Sequence, residues 1–171
     1  LMALFCLWQF GPTLQAIGAF VFVCTLIVIT FIDIDHQIIP DVISLPGIPI
    51  FLLIAVFVMQ VPWLDAVLGL LCGGGILYAV AVGYELVTKR EGMGGGDIKL
   101  LGMLGAFLGW KSLLFILLAS SLLGAVIGIA LMAIKGRDMK YAVPFGPFLS
   151  LAAVLYLFVG DPVIRYFLDI A

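Results

Sequence analysis

Long runs without a single charge constrain this chain more than any other feature. Residues 14–32 (LQAIGAFVFVCTLIVITFI) and 112–134 (SLLFILLASSLLGAVIGIALMAI) are uninterrupted by Asp, Glu, Lys or Arg. About 20 helical residues cross the hydrocarbon core of a bilayer, so runs of this length read as membrane spans. Lipid offers no hydrogen bonds to the backbone, which leaves helices or a closed barrel. The runs are continuous rather than alternating, and helices follow. The composition agrees: 65% of residues are hydrophobic and 11% charged, against roughly 25% charged in soluble domains. The expected fold is an all-α polytopic helical membrane protein, one domain over residues 1–171, with about seven transmembrane segments. These fall near 1–10, 14–32, 42–60, 64–86, 98–110, 112–134 and 143–159. Leu1 lies inside an apolar run with neither an initiator Met nor a signal-peptide charge pattern, so the first span reads as truncated and the chain as lacking an upstream segment.

Lysine and arginine favour cytoplasmic loops. Alternation places Lys89, Arg90, Lys99, Lys135, Arg137 and Lys140 on one side and only Lys111 and Arg165 on the other. The first side is therefore expected to be cytoplasmic, with Trp8, Trp63 and Trp110 at the outer interface as an aromatic belt. Two spans separate Asp33 from Asp97, so both carboxylates are expected at the cytoplasmic face. The net charge of −2 and the lack of a basic patch argue against nucleic acid. His36 is the only histidine, which excludes a multi-histidine metal site. Cys6, Cys24 and Cys72 sit singly in apolar segments and read as small hydrophobes.

An ionisable group at membrane depth is expensive and is a functional hypothesis by default. Two adjacent carboxylates do not both ionise easily. The ionised member can activate water while its protonated partner donates to a carbonyl or leaving amine. The stretch GMGGGD, residues 92–97, places Asp97 behind four glycines that permit close backbone approach. The span that follows has room for only about 20 Å of helix, which implies a thinned or water-filled notch around Asp97. An ordinary helix N-cap at Asp97 and an ordinary turn in the glycines are the plain alternatives. Spacing alone does not separate Asp33 from Asp35 as the second acid. Asp41 reads as a helix cap. The Gly-xxx-Gly pairs at 69/73, 105/109 and 124/128 read as helix-packing faces, which also allow a homo-oligomer. PFGP at 144–147 reads as a break at the start of the last span.

FIDIDHQIIPD, GMGGGDIKLLGMLGAFLGW and PFGPF, in this order, closely resemble the bacterial type IV prepilin leader peptidases, intramembrane aspartic proteases with a GxGD element, here Gly94-Gly95-Gly96-Asp97. The resemblance implies a catalytic pair of Asp33, six residues before Ile39-Pro40, and Asp97. The other residues expected to support the substrate or its loop are Gly94, Gly95, Gly96, Asp35, Pro40 and Lys99. It implies removal of a short basic leader from type IV prepilins and type II secretion pseudopilins, without a metal, at the cytoplasmic face of the bacterial inner membrane. Most family members carry an upstream domain with paired CxxC motifs resembling a zinc site, and N-methylate the product using S-adenosylmethionine. These 171 residues hold neither motif and are expected to lack methyltransferase activity on their own. An acidic rim of Asp33, Asp35, Asp41, Glu85, Glu91, Asp97 and Asp138 suits a basic leader. The competing readings are an ion-coupled transporter or proton channel using the same carboxylates, and a non-enzymatic assembly subunit.

Overall fold

A computed structural model of the chain describes residues 1–89, 94–135 and 144–168. Arg90, Glu91, Gly92 and the loop holding Arg137, Asp138 and Lys140 lie outside the described residues, as do the side chains of Lys135, Asp161 and Arg165. Regular structure among the described residues is entirely helical: α1 Met2–Phe10, α2 Leu14–His36, α3 Asp41–Phe57, α4 Trp63–Thr88, α5 Gly95–Leu108, α6 Lys111–Lys135 and α7 Gly146–Leu168. Leu14–His36, Trp63–Thr88 and Lys111–Ala130 are long and apolar enough to cross a membrane, while Asp41–Phe57 and Gly146–Gly160 are shorter apolar helices. The protein is an all-α polytopic membrane protein.

Of the boundaries that differ from the sequence reading, three differ most. Residues 33–36, expected in a loop, form the last turn of α2. Gln37 ends that helix by entering the left-handed region (φ 55°), its N–H donating to Asp33 O at 2.9 Å. Gly95 and Gly96, expected in a loop, are helical, because Gly94 is the N-cap of α5 and its carbonyl accepts the Asp97 N–H at 3.2 Å. The expected tail after 159 instead continues α7 through Pro162 to Leu168. Pro removes one ladder bond there without ending the helix, as Pro46 and Pro49 do inside α3.

α5 is the core of the bundle. Every residue from Leu100 to Phe107 is buried, whereas the other helices turn large apolar side chains outward, such as Leu71, Leu114, Leu118 and Ile129. Its closest neighbour is α4, which runs antiparallel to it. A β-carbon on Gly69 would strike the Gly105 carbonyl oxygen, one on Gly105 would strike that of Gly69, and one on Gly73 would meet that of Leu101. Two of the expected glycine faces thus pack on each other. Gly109, however, ends α5 with φ 80°, and a β-carbon on Gly128 would have nothing within 4 Å. Gly124 packs beside Phe148 of α7.

Aromatic rings fix α2 and α3 against α5. Phe22 stacks on Phe107 (centroids 4.0 Å, 24°), and Phe51 meets both edge-on at 5.1 and 5.6 Å. Asp33 lies eleven residues beyond Phe22, and Asp97 ten before Phe107. At 1.5 Å per residue the stack is about 16 Å from one carboxylate and about 15 Å from the other along antiparallel helices. Both acids therefore reach the same end of the bundle. The opposite end carries Trp63 and Trp110, both exposed, where the Trp110 N–H donates to Asp65 O at 3.2 Å.

Gly69→Val adds three carbons where the Gly105 carbonyl already stands and is expected to destabilise the bundle by ~1–3 kcal/mol or more. Gly75→Ala, whose new carbon has nothing within 4 Å, is expected to leave the melting temperature in detergent nearly unchanged. Thermal unfolding of the two variants checks the contrast.

Candidate active site

Asp33 comes from the last turns of α2 and is only 5% exposed. Its own helix presents carbonyls there, an unfavourable end for negative charge. The compensation comes from α7, where Gly146 N–H donates to Asp33 Oδ2 at 3.1 Å. Gly146 opens α7 and Pro147 follows in the first turn, where a missing N–H costs no intrahelical bond. The positive end of α7 thus faces the carboxylate. A β-carbon on Gly146 would lie 2.5 Å from Asp33 Oδ2, so only glycine allows this approach without a shift.

Asp97 occupies the first turn of α5, again the favourable end of a helix for an acid. It is not the N-cap: that position is Gly94, and no side chain caps α5. Asp97 is partly buried and lies within electrostatic range of Asp33. Ile39, in the connection from α2 to α3, joins their surroundings. A β-carbon on Gly96 would be 2.8 Å from Ile39 Cβ, and one on Gly146 would be 3.2 Å from Ile39 Cδ1. Ile39 is thus a buried wedge between the starts of α5 and α7. The sequence marks Ile39 only as a point to count from, and PFGP as a helix break and part of a family motif. The PFGPF motif was the available signal for Gly146; Ile39 left none beyond its place in IIP.

The remaining expected site residues separate. Asp35, two residues past Asp33 and so about 200° around the helix, is exposed. Gly94 and Gly95 are exposed, and a β-carbon on either would meet nothing within 4 Å. Pro40 is the N-cap of α3, its carbonyl accepting the N–H groups of Ile43 and Ser44, both at 3.0 Å. Asp41, expected to cap, is instead the first residue of α3. Lys99 Nζ donates to Asp41 Oδ1 at 2.7 Å, tying α3 to α5 one helical half-turn from Asp97. Among the described residues no three His, Cys, Asp or Glu side chains gather as a metal site.

The chain belongs to the type IV leader peptidase family, whose profile matches residues 20–129. It is 39% identical over 163 residues to the prepilin leader peptidase/N-methyltransferase of Pseudomonas putida, covering 95% of the chain and 57% of that protein. The protein of the same name from Pseudomonas aeruginosa is 38% identical over 164 residues, 96% of the chain and 57% of that protein. The one from Legionella pneumophila is 38% identical over 169 residues, 98% of the chain and 58% of that protein. The chain spans a little over half the length of these relatives. No solved structure matches it significantly.

Lys99 and Asp41 retain 34% and 55% exposure, so solvent screens their pair. A double-mutant cycle of Asp41→Asn and Lys99→Met, read by thermal unfolding, is expected to return a coupling of only about 0.2–1 kcal/mol that shrinks as salt is added.

Proposed function

We propose that this chain is the proteolytic portion of an intramembrane aspartic endopeptidase that removes short basic leaders from type IV prepilins and pseudopilins. The observation that carries the reading is the convergence of Asp33 and Asp97, from helices far apart in sequence, at one end of the bundle and within electrostatic range. The family's relatives named as prepilin leader peptidases supply the substrate class.

In this reading the pair shares one proton. The ionised carboxylate takes a proton from water as the water oxygen bonds to the scissile carbonyl carbon. The protonated carboxyl gives its proton to the developing oxyanion. Collapse of the tetrahedral intermediate breaks the C–N bond, and the leaving amine takes a proton from the pair. Both proton roles reside in side chains of this chain, so the reading assigns no metal or cofactor to the cleavage; the relatives' N-methyltransferase activity is not assigned to these residues. In the sequence, Lys and Arg are concentrated in the loops expected on the side of the two aspartates, which in this reading is the cytoplasmic side of a bacterial inner membrane. Asp35 and Asp41 stand exposed at the same end as the pair and suit a Lys/Arg-rich leader. An ion-relay reading would call for acids along the bundle, yet Asp33 is the only buried charged residue among those described, the other buried polar side chains being serines.

Asp33→Asn and Asp97→Asn are each expected to slow prepilin cleavage in detergent by about 10²–10⁴-fold or more, while Asp35→Asn stays within a few-fold of the parent. Full-rate cleavage by either of the first two removes that residue from the mechanism. The pH–rate profile is expected to be bell-shaped. Rate falls at low pH as both carboxyls hold protons and no base remains, and at high pH as both ionise and no acid remains.

Gly146→Ala is expected to cut the rate by about 100-fold through displacement of Asp33 and also to lower the melting temperature, because the buried carboxylate loses its N–H donor. Rate and melting temperature measured on the same preparation separate the two effects.

A further inference from the structure

The connection between α2 and α3 meets α5 at two points. Ile39 packs on Gly96, where a β-carbon would stand 2.8 Å from Ile39 Cβ. Asp41 accepts the 2.7 Å hydrogen bond from Lys99 Nζ. Gly96 and Lys99 are three residues apart and share a face of α5, and Asp97 follows Gly96 directly. On its other side Ile39 reaches α7. A β-carbon on Gly146 would be 3.2 Å from Ile39 Cδ1 and 2.5 Å from Asp33 Oδ2. One side chain thus bridges Gly96, the neighbour of Asp97, and Gly146, the donor to Asp33. Ile38 is 61% exposed and Ile39 only 9%, so of the two adjacent isoleucines just the second turns into this junction.

The polar ties at this end join other pairs of helices. Gly146 N–H ties α7 to α2, Lys99 ties α5 to α3, and Ile39 packs between the two pairs. So deeply buried, it offers a substrate almost no surface, and any effect it has on cleavage passes through the acids. We propose that Ile39 is a positioning residue: it holds the starts of α5 and α7 at the spacing that sets the Asp97 carboxyl against that of Asp33. This rests on the peptidase reading of the pair. Carboxyls that interact strongly hold one shared proton over a wide pH range, because the first ionisation makes the second harder. Ile39→Ala opens the junction at the end that bears the exposed Asp35 and Asp41, and water entering there weakens the interaction between the two charges. The range with one proton on the pair then narrows. The other titratable groups described at this end, His36, Glu85, Lys89 and Lys99 together with Asp35 and Asp41, are the same in every Ile39 variant. Among the described residues the start of α7 adds none.

The test measures cleavage of an intact prepilin by the full-length protein in detergent, per mole of folded enzyme. Ile39→Ala is expected to lower kcat by about 100-fold at nearly unchanged KM. The two limbs of its kcat/KM–pH profile, which reports the free enzyme, are expected to draw together. Ile39→Val lacks only the δ-carbon, keeps the contact with Gly96, and is expected to recover most of the lost rate. Leu104→Ala empties a fully buried site on α5 two turns from Asp97. It is expected to lower the melting temperature while leaving the profile as wide as the parent's. A parent-like kcat in Ile39→Ala, a profile that does not narrow, equal narrowing in Leu104→Ala, or a raised KM at parent kcat each overturns the proposal. Asp33→Asn in the same assay separates the two failures. If it is inactive while Ile39→Ala matches the parent, the positioning role alone falls; if it cleaves at full rate, the peptidase reading falls and this proposal with it.

Discussion

A carboxylate removed from water needs hydrogen bonds to replace those it loses, and the arrangement of this bundle follows from how Asp33 meets that need. Its own helix offers carbonyls at that end. The donor arrives from α7, 113 residues away in sequence, through the backbone N–H of Gly146. A backbone donor at a helix start is held by the helix itself and loses no rotamer freedom. The glycine lets the amide come within reach, and Ile39 fills the space between this junction and Gly96 at the start of α5. One hydrogen bond thus joins α2 to α7, and one apolar wedge joins both to the helix that bears Asp97.

Register along the bundle has a different source. The backbones of α4 and α5 touch at Gly69 and Gly105, a contact that no other residue type permits. In lipid, where burial of apolar surface gives little drive for helix association, close packing of this kind supplies the cohesion. The Phe22–Phe107 stack then sets α2 against α5. A slip of one turn on either helix would move one carboxylate by about 5.4 Å relative to the other. Equal depth of the two acids is thus a property of rings and a glycine eight to eleven residues distant along their helices.

Much of this was legible in the sequence, because a bilayer sets the length of its spans. The seven expected segments overlap seven helices among the described residues, three of them long and apolar enough to cross a membrane; α2 and α5 differ at ends set by Gln37 and Gly94, and α7 runs on past Pro162. Which acid of Asp33 and Asp35 points inward was not legible. α2 is apolar nearly all round, so no hydrophobic stripe marks its inner face, and only the packed neighbours show that Asp33 is buried and Asp35 exposed. The partnership of Gly146 with Asp33 was equally hidden, since contacts between distant segments leave no local periodicity. The glycine run misled in part: four similar residues share no single role, because Gly96 abuts Ile39 while Gly94 and Gly95 face open space.

The short length of α5 bears directly on how water reaches Asp97. Its 14 residues give about 21 Å of helix, some 9 Å less than the ~30 Å hydrocarbon core. The deficit is not shared between its ends. At one end Gly109 lies against Asp65 in the first turn of α4, and Trp110 is hydrogen-bonded through its N–H to the Asp65 carbonyl. Trp63 and Trp110 are exposed there, the placement that indole rings take at a membrane interface. In a bilayer that held that end at its interface, the shortfall would fall at Asp97 and set it below the level of the headgroups. The other helices of the bundle carry the apolar surface that faces lipid, so α5 is free to stop short. Gly94 and Gly95 stand exposed at this end of α5 without side chains. A carboxylate set that deep would be stranded beside lipid on the outer face of the bundle, whereas on the central helix the surrounding helices stand between it and lipid.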